Sequence, residues 1–212
     1  MILGLIGMSG AGKSSWAARL AAAGYTWLHC DELIAARLRV SHQVAAESVS
    51  DLGRWMGFPY DARYARHEAL YLAYETEVLR EIAAALAQSG DPGARLIVDM
   101  TGSAIYVDAE VLRSIRRAAT IVYLAISPDR QQQMVQDYLA SPRPIVWHGL
   151  FRPRPQEEPA AALARCYPDL LAARASEYAE LSDITFEDSL HRDPELTVEG
   201  FLRHCTTDKV AR

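Results

Sequence analysis

Cysteine is scarce and scattered: Cys30, Cys166 and Cys205 lie far apart with no C-x-x-C spacing. That argues against a disulfide framework and a zinc site, and makes reduced thiols the default. Positive charge is also in deficit, with 22 Lys plus Arg against 27 Asp plus Glu and no run of one sign, for a formal charge of −5. Without a basic face to displace counterions, a nucleic-acid partner is not expected. Long apolar runs are missing as well. The opening stretch Met1 to Ile6 is interrupted by glycine and followed at once by a polar loop, too short for a signal segment or a membrane span. A cytoplasmic protein with no membrane partner is the expectation. Internal repeats and low-complexity tracts are lacking too.

What remains is globular: 50% of residues are hydrophobic and 23% charged over 212 positions, or about 1.4 domains at ~150 residues each. A single domain over residues 1–212 is expected. Short apolar runs alternate with amphipathic stretches, the pattern of an α/β protein with a parallel sheet covered by helices on both faces. The expected strands are Ile2 to Ile6, Tyr25 to His29, Arg95 to Asp99, Ile121 to Ile126 and Ile184 to Glu187. Ser14 to Ala23 reads as the first helix. Between Ala62 and Gln88, residues Leu70, Tyr74, Val78, Ile82 and Leu86 recur at every fourth position, the stripe of a core-facing helix. Gly90 to Gly93 then turns the chain. Ser127-Pro128 starts a helix toward Tyr138, and Leu196 to His204 forms a last one. Between Ser141 and Pro159 five prolines, three arginines and the aromatics Trp147 and Phe151 predict an exposed, mobile flap.

The most informative segment is Gly7-Met8-Ser9-Gly10-Ala11-Gly12-Lys13-Ser14, which fits G-x-x-x-x-G-K-[ST] between a strand and a helix. Glycines let amide N–H groups turn into one concavity, the helix N-terminus adds its positive end, and lysine adds a point charge near the β and γ phosphates. Gly10, Ala11, Gly12, Lys13, Ser14 and Ser15 are therefore expected to hold nucleotide phosphates, with the Ser14 hydroxyl on Mg²⁺. The reaction is not specified by this loop, because hydrolases and kinases share it. The chain has no Asn-Lys-x-Asp guanine signature and no strand ending in Asp-Glu. Phosphoryl transfer from ATP to a small acceptor is left in front.

This loop, together with Asp31 in His29-Cys30-Asp31-Glu32-Leu33-Ile34, Arg143-Pro144, and Arg174-x-x-x-Tyr178 followed by Ser182-Asp183-Ile184, resembles the shikimate kinases from Ile2 to about Phe186. Gluconate kinases are a neighbouring group. The resemblance implies a P-loop kinase fold with a five-stranded parallel sheet in the order 2-3-1-4-5. It also implies an acceptor-binding helical region at about 31–90 and a lid at about 141–168 that closes over ATP. By the same resemblance, Asp31 contacts the acceptor and takes its hydroxyl proton, Gly102 and Arg174 bind the acceptor, and Arg143 neutralises the transferring phosphoryl group. The chain departs from the pattern in four places. His29 replaces an acidic residue, Asp99-Met100-Thr101-Gly102-Ser103 keeps one glycine of three, Tyr71-Leu72-Ala73 stands where an arginine is expected, and the lid is long. Arg63 or Arg66 could stand in for that arginine.

Each candidate has a structural alternative. Asp31 could cap a helix; Asp99, at a strand end beside the loop, could hold Mg²⁺ or only form a turn. Arg174 could make a helix-surface pair with Glu177, and Arg143 competes with Arg152 and Arg154 for the lid role. The expected function is ATP- and Mg²⁺-dependent transfer to the hydroxyl of shikimate or a related hydroxy acid, by a monomer or weak homodimer. The alternatives are a different polyol or nucleotide-like acceptor, or a nucleotide-binding regulator with little transfer activity.

Overall fold

The apolar runs form five strands: β1 (Ile2–Ile6), β2 (Thr26–His29), β3 (Leu96–Asp99), β4 (Thr120–Leu124) and β5 (Ile184–Phe186). All pairings are parallel, in the order β2-β3-β1-β4-β5. The order is the expected one, and every strand falls within two residues of its predicted range. The computed structural model describes residues 1–42, 48–89, 93–140 and 143–207. The turn predicted at Gly90 to Pro92, and Ser141 and Pro142 at the start of the predicted flap, lie outside the described residues.

Helices cover both faces: α1 (Lys13–Ala22), α2 (Cys30–His42), α3 (Val49–Met56), α4 (Tyr64–Ser89), α5 (Ala109–Ala118), α6 (Pro128–Ala140), α7 (Pro159–Leu181), α8 (Asp188–His191) and α9 (Val198–Thr207). A sheet buried on both sides needs apolar side chains in both directions. Leu3, Leu5, Ile97, Val122 and Leu124 point toward α1 and α9. There Trp16 stacks on Phe201 at 4.3 Å and Phe201 on Phe186 at 4.4 Å. Ile6, Val98, Ile121 and Tyr123 face the other way, into a core built with α4, α5 and α7. Among the described residues no helix is long and apolar enough to cross a membrane.

The predicted stripe on α4 is present but rotated. Tyr71 and Glu75 are fully buried, whereas Leu70 and Tyr74 are only half-buried. An apolar-residue pattern cannot register a buried carboxyl group, so the line containing Glu75 is invisible to it.

The proline-rich segment differs most from expectation. Residues after Ala160 carry a helical pattern in the sequence, and 159–168 of the expected lid accordingly belong to α7, which starts with Pro159 in its first turn and runs through Pro168. A proline at the helix start needs no N–H partner, and burial of Leu163, Cys166, Tyr167 and Leu170 compensates for the interior one. Residues 143–158 form a strap with fixed partners. Glu68 on α4 accepts the Trp147 and His148 amide hydrogens at 2.6 and 3.0 Å. The Tyr64 hydroxyl reaches the Ile145 carbonyl at 2.9 Å and also accepts from the Trp147 amide at 2.8 Å. Trp147 is 1% exposed and meets Phe151 and Tyr167 edge-on; Phe151 is half-buried. The flap is thus fastened to α4 and α7, because the extended prolines leave its amides and carbonyls free for long-range partners. Tyr64→Phe removes one of these fastenings and leaves a buried carbonyl unpaired. It is expected to cost roughly 1–2 kcal/mol and to speed proteolysis within the strap, read by denaturant titration and limited digestion. Unchanged values in both would show the strap is held elsewhere.

Candidate active site

At the carboxyl edge of the sheet, β1 and β2 both align with the last residue of β3: Leu5 pairs with Asp99, and Asp99 with His29. Ligands of open α/β sheets bind outside this edge. The glycine loop leaves β1 there. Gly7 (φ +139°) lies against the Leu124 carbonyl, which a Cβ would approach to 2.7 Å. Gly12 takes the left-handed conformation (φ 105°) immediately before α1. Both positions require glycine.

Lys13 begins α1, and its Nζ donates to the Gly7 and Met8 carbonyls at 2.9 and 3.1 Å. It is buried, which lowers its pKa, while Asp99 and Asp31 oppose that shift. A cavity of about 500 Å³ opens over the loop, lined by Ser9, Gly10, Gly12, Lys13, Ser14 and Ser15, and by His29, Asp31, Val49, Ser50 and Arg143. Ala11 is fully buried beneath, its amide donating to the Met8 carbonyl.

Asp99 is 3% exposed, and burial raises its pKa against the pull of Lys13, a Ser14 hydrogen bond and His29. Its Oδ2 has no hydrogen-bond partner and lies 3.7 Å from His29 Nε2. The other ring nitrogen of His29 is 2.9 Å from Glu32. A buried carboxylate oxygen without a partner therefore lies at the strand end beside the phosphate loop.

Asp31 lies inside the first turn of α2, so it does not cap that helix. Its Oδ1 accepts from the Tyr71 hydroxyl at 2.7 Å. Behind Tyr71, Glu75 receives the hydroxyls of Thr101 and, at 3.1 Å, Ser103. Burial pushes the Glu75 carboxyl up to about 8, with the Ser103 hydrogen bond opposing. Its raised pKa means the folded chain keeps a proton that an unfolded one releases above about pH 4.5. The stability this contributes is complete below that pH and is lost as pH rises through about 8. Thermal melts of Glu75→Gln and wild type are expected to diverge in favour of the variant between pH 5 and pH 9. Parallel curves would contradict this.

The remaining candidates separate. Arg143 lines the cavity, and its Nη1 would be 3.1 Å from a Cβ at Gly10. Arg152 and Arg154 are exposed and do not line it. Gly102 and Arg174 lie behind the loop. Arg174 is 1% exposed, with Nη1 donating to the Gly102 carbonyl at 2.9 Å, Nη2 to the Val146 carbonyl and Nε to the Tyr106 hydroxyl at 3.3 Å. The Tyr178 hydroxyl donates to the same Gly102 carbonyl. No pairing with Glu177 forms. Arg63 donates to the Arg54 carbonyl, and neither it nor Arg66 lines the cavity.

Sequence reasoning missed Tyr71, Glu75, Thr101 and Ser103. A tyrosine and an acid four apart on a core-facing helix, with two hydroxyls just beyond Asp99, were the available signal. It also missed the far side of the loop, where His191 Nε2 donates to the Ala125 carbonyl at 2.7 Å and Arg192 donates to the Gly10 carbonyl at 3.2 Å. These residues, with Trp16, Arg19 and Asp193, border a second hollow of about 250 Å³.

A family model described as an AAA domain matches residues 2–132. No curated protein matches the sequence significantly. Among solved structures, the chain is similar to a shikimate kinase from Acinetobacter baumannii in complex with shikimate, at TM-score 0.56 and 21% identity, covering 88% of this chain and 82% of that one. It is similar to shikimate kinase from Bacteroides thetaiotaomicron at TM-score 0.55 and 18% identity, covering 96% and 94%. Shikimate kinase from Aquifex aeolicus gives TM-score 0.57 and 18% identity, covering 96% and 95%. At these identities the likeness concerns the fold, which is that of the P-loop kinases.

Proposed function

This chain belongs to the AAA domain family, and we propose that within it the protein is a small-molecule kinase transferring the γ-phosphoryl group of ATP to an alcohol. One observation carries the reading: a single cavity has the phosphate loop with Lys13 on one wall and Asp31 on another. A triphosphate on the loop directs its γ-phosphorus into that space, and an acceptor hydroxyl beside Asp31 can approach in line. The attacking oxygen forms the new P–O bond as the bond to the ADP oxygen breaks, and the hydroxyl proton passes to Asp31. Lys13 and Arg143 face the charge that accumulates on the phosphoryl and bridging oxygens.

Ser14 and Asp99 suit Mg²⁺, since they offer hard oxygen donors and Asp99 Oδ2 is otherwise unpaired. The ion would neutralise phosphate charge when bound. On this reading the region of about 31–90 supplies the acceptor wall through Asp31, and Arg143 at the start of the strap stands over Gly10. Shikimate or a related hydroxy acid, the acceptor first expected, rests on Asp31 and Arg174 together, and only Asp31 lines the cavity.

Asp31→Asn keeps the shape and the Tyr71 contact but cannot take a proton. Turnover is expected to fall by about 10²–10⁴, with Mg-ATP affinity within about twofold, measured by phosphoryl-transfer kinetics and calorimetric titration. Unaltered turnover would remove Asp31 from the chemistry. Affinity for Mg-ATP without transfer in the wild type would favour a nucleotide-binding regulator.

A further inference from the structure

The acceptor end of the cavity is acidic, and its cations are committed elsewhere. Asp31 projects into it and is held by Tyr71. The group beside the carboxylate is thus a neutral hydroxyl and not a cation. Asp99 lies behind, buried. His29 is flanked by carboxylates on both ring nitrogens, Glu32 at 2.9 Å and Asp99 at 3.7 Å.

Among the described residues two full cations line the cavity, and both serve the phosphate loop. Lys13 is turned onto the Gly7 and Met8 carbonyls, and Arg143 stands over Gly10. Each of the three guanidinium nitrogens of Arg174 has a protein partner, the Tyr106 hydroxyl, the Gly102 carbonyl and the Val146 carbonyl. A substrate carboxylate could reach this group only by displacing the strap or the turn after β3. An anion at the acceptor end would therefore stand against Asp31 with no uncommitted partner of opposite charge among the described residues.

We infer that the acceptor is an alcohol without a carboxylate or other anionic group: the juxtaposition of Asp31 with the Tyr71 hydroxyl, and the sealing of Arg174 behind the Gly102 and Val146 carbonyls, select an uncharged or cationic hydroxyl compound. This rests on the kinase reading. The selectivity lies partly in repulsion, which rejects acids even where the hydroxyl geometry fits.

The test is a library of small alcohols, half of them acids, offered with Mg-ATP to the full chain and read by mass spectrometry of phosphorylated products. It includes matched pairs: methyl shikimate with shikimate, glucitol with gluconate, and glycerol with glycerate. The expected result is transfer to non-acid members, with kcat/KM at least about tenfold above the paired acid wherever both react. Transfer to acids at equal or greater efficiency overturns the inference and leaves the kinase reading standing. Transfer to neither half, with Mg-ATP bound, removes the kinase reading and this inference with it.

Discussion

Lys13→Ala is expected to lower phosphoryl transfer by roughly a thousandfold, the scale seen when one preorganised donor to a transition-state charge is deleted. Lys13 is one of two lysines in the chain, with Lys209, and the one inside the glycine loop. Its burial already disfavours its charge, so deleting it removes a desolvated cation. Loss of its hydrogen bonds to the Gly7 and Met8 carbonyls offsets that gain, so the variant is expected to stay folded with a melting temperature close to wild type. Loss of transfer with retained fold separates the electrostatic role from a structural one. A folded variant that keeps a tenth of the wild-type rate would contradict the assignment.

Arg174→Ala is expected to have the largest effect on stability, about 3–5 kcal/mol. The side chain joins three separate pieces of chain: the strap through Val146, the turn after β3 through Gly102 and the 3₁₀ turn Ala104–Tyr106 through the Tyr106 hydroxyl. Its removal leaves carbonyls without donors and a void among fully buried groups. Arg174→Lys keeps the charge but offers one compact ammonium where a fork serves separated acceptors, so an intermediate loss is expected. Denaturant titration of both variants checks this. If Arg174 instead bound an acceptor carboxylate, Arg174→Lys would raise KM for the acceptor while leaving the unfolding midpoint unchanged.

Much of the fold was legible because its signals are local. β1 and the glycine loop appear as an apolar run broken at Gly7 with the phosphate motif intact, and β3 as an apolar run ending in Asp99. Helices α2, α3 and α5 were not drawn from the sequence. α3 has only eight residues and contains Gly53, although Ser48 and Asp51 form a capping box at its start. The strap shows the limit of composition. Its prolines exclude helix and strand, yet nothing nearby in sequence reveals that Tyr64 and Glu68, about 80 residues away, take its amides and carbonyls.

The site divides along the same line. Lys13, Ser14, Asp31 and Arg143 were found through motif and resemblance, and the structure gathers them around one cavity. Arg174 was also found, but a guanidinium reads identically in sequence whether it awaits a substrate or closes a protein contact. Only its burial and three partners distinguish the two. The signal for Glu75 is faint, since acids on helices are ordinarily solvated and its burial depends on Thr101 and Ser103 arriving after β3.

The most direct test of the central claim follows the γ-phosphoryl group itself. Mg-ATP carrying ¹⁸O on its γ-phosphate is incubated with wild type and Lys13→Ala in the presence of the alcohol library, and the label is traced by mass spectrometry. The account predicts labelled phosphate on an alcohol in the wild-type reaction and none above background in the variant. Label found only in inorganic phosphate, or retained entirely in bound ATP, would contradict it.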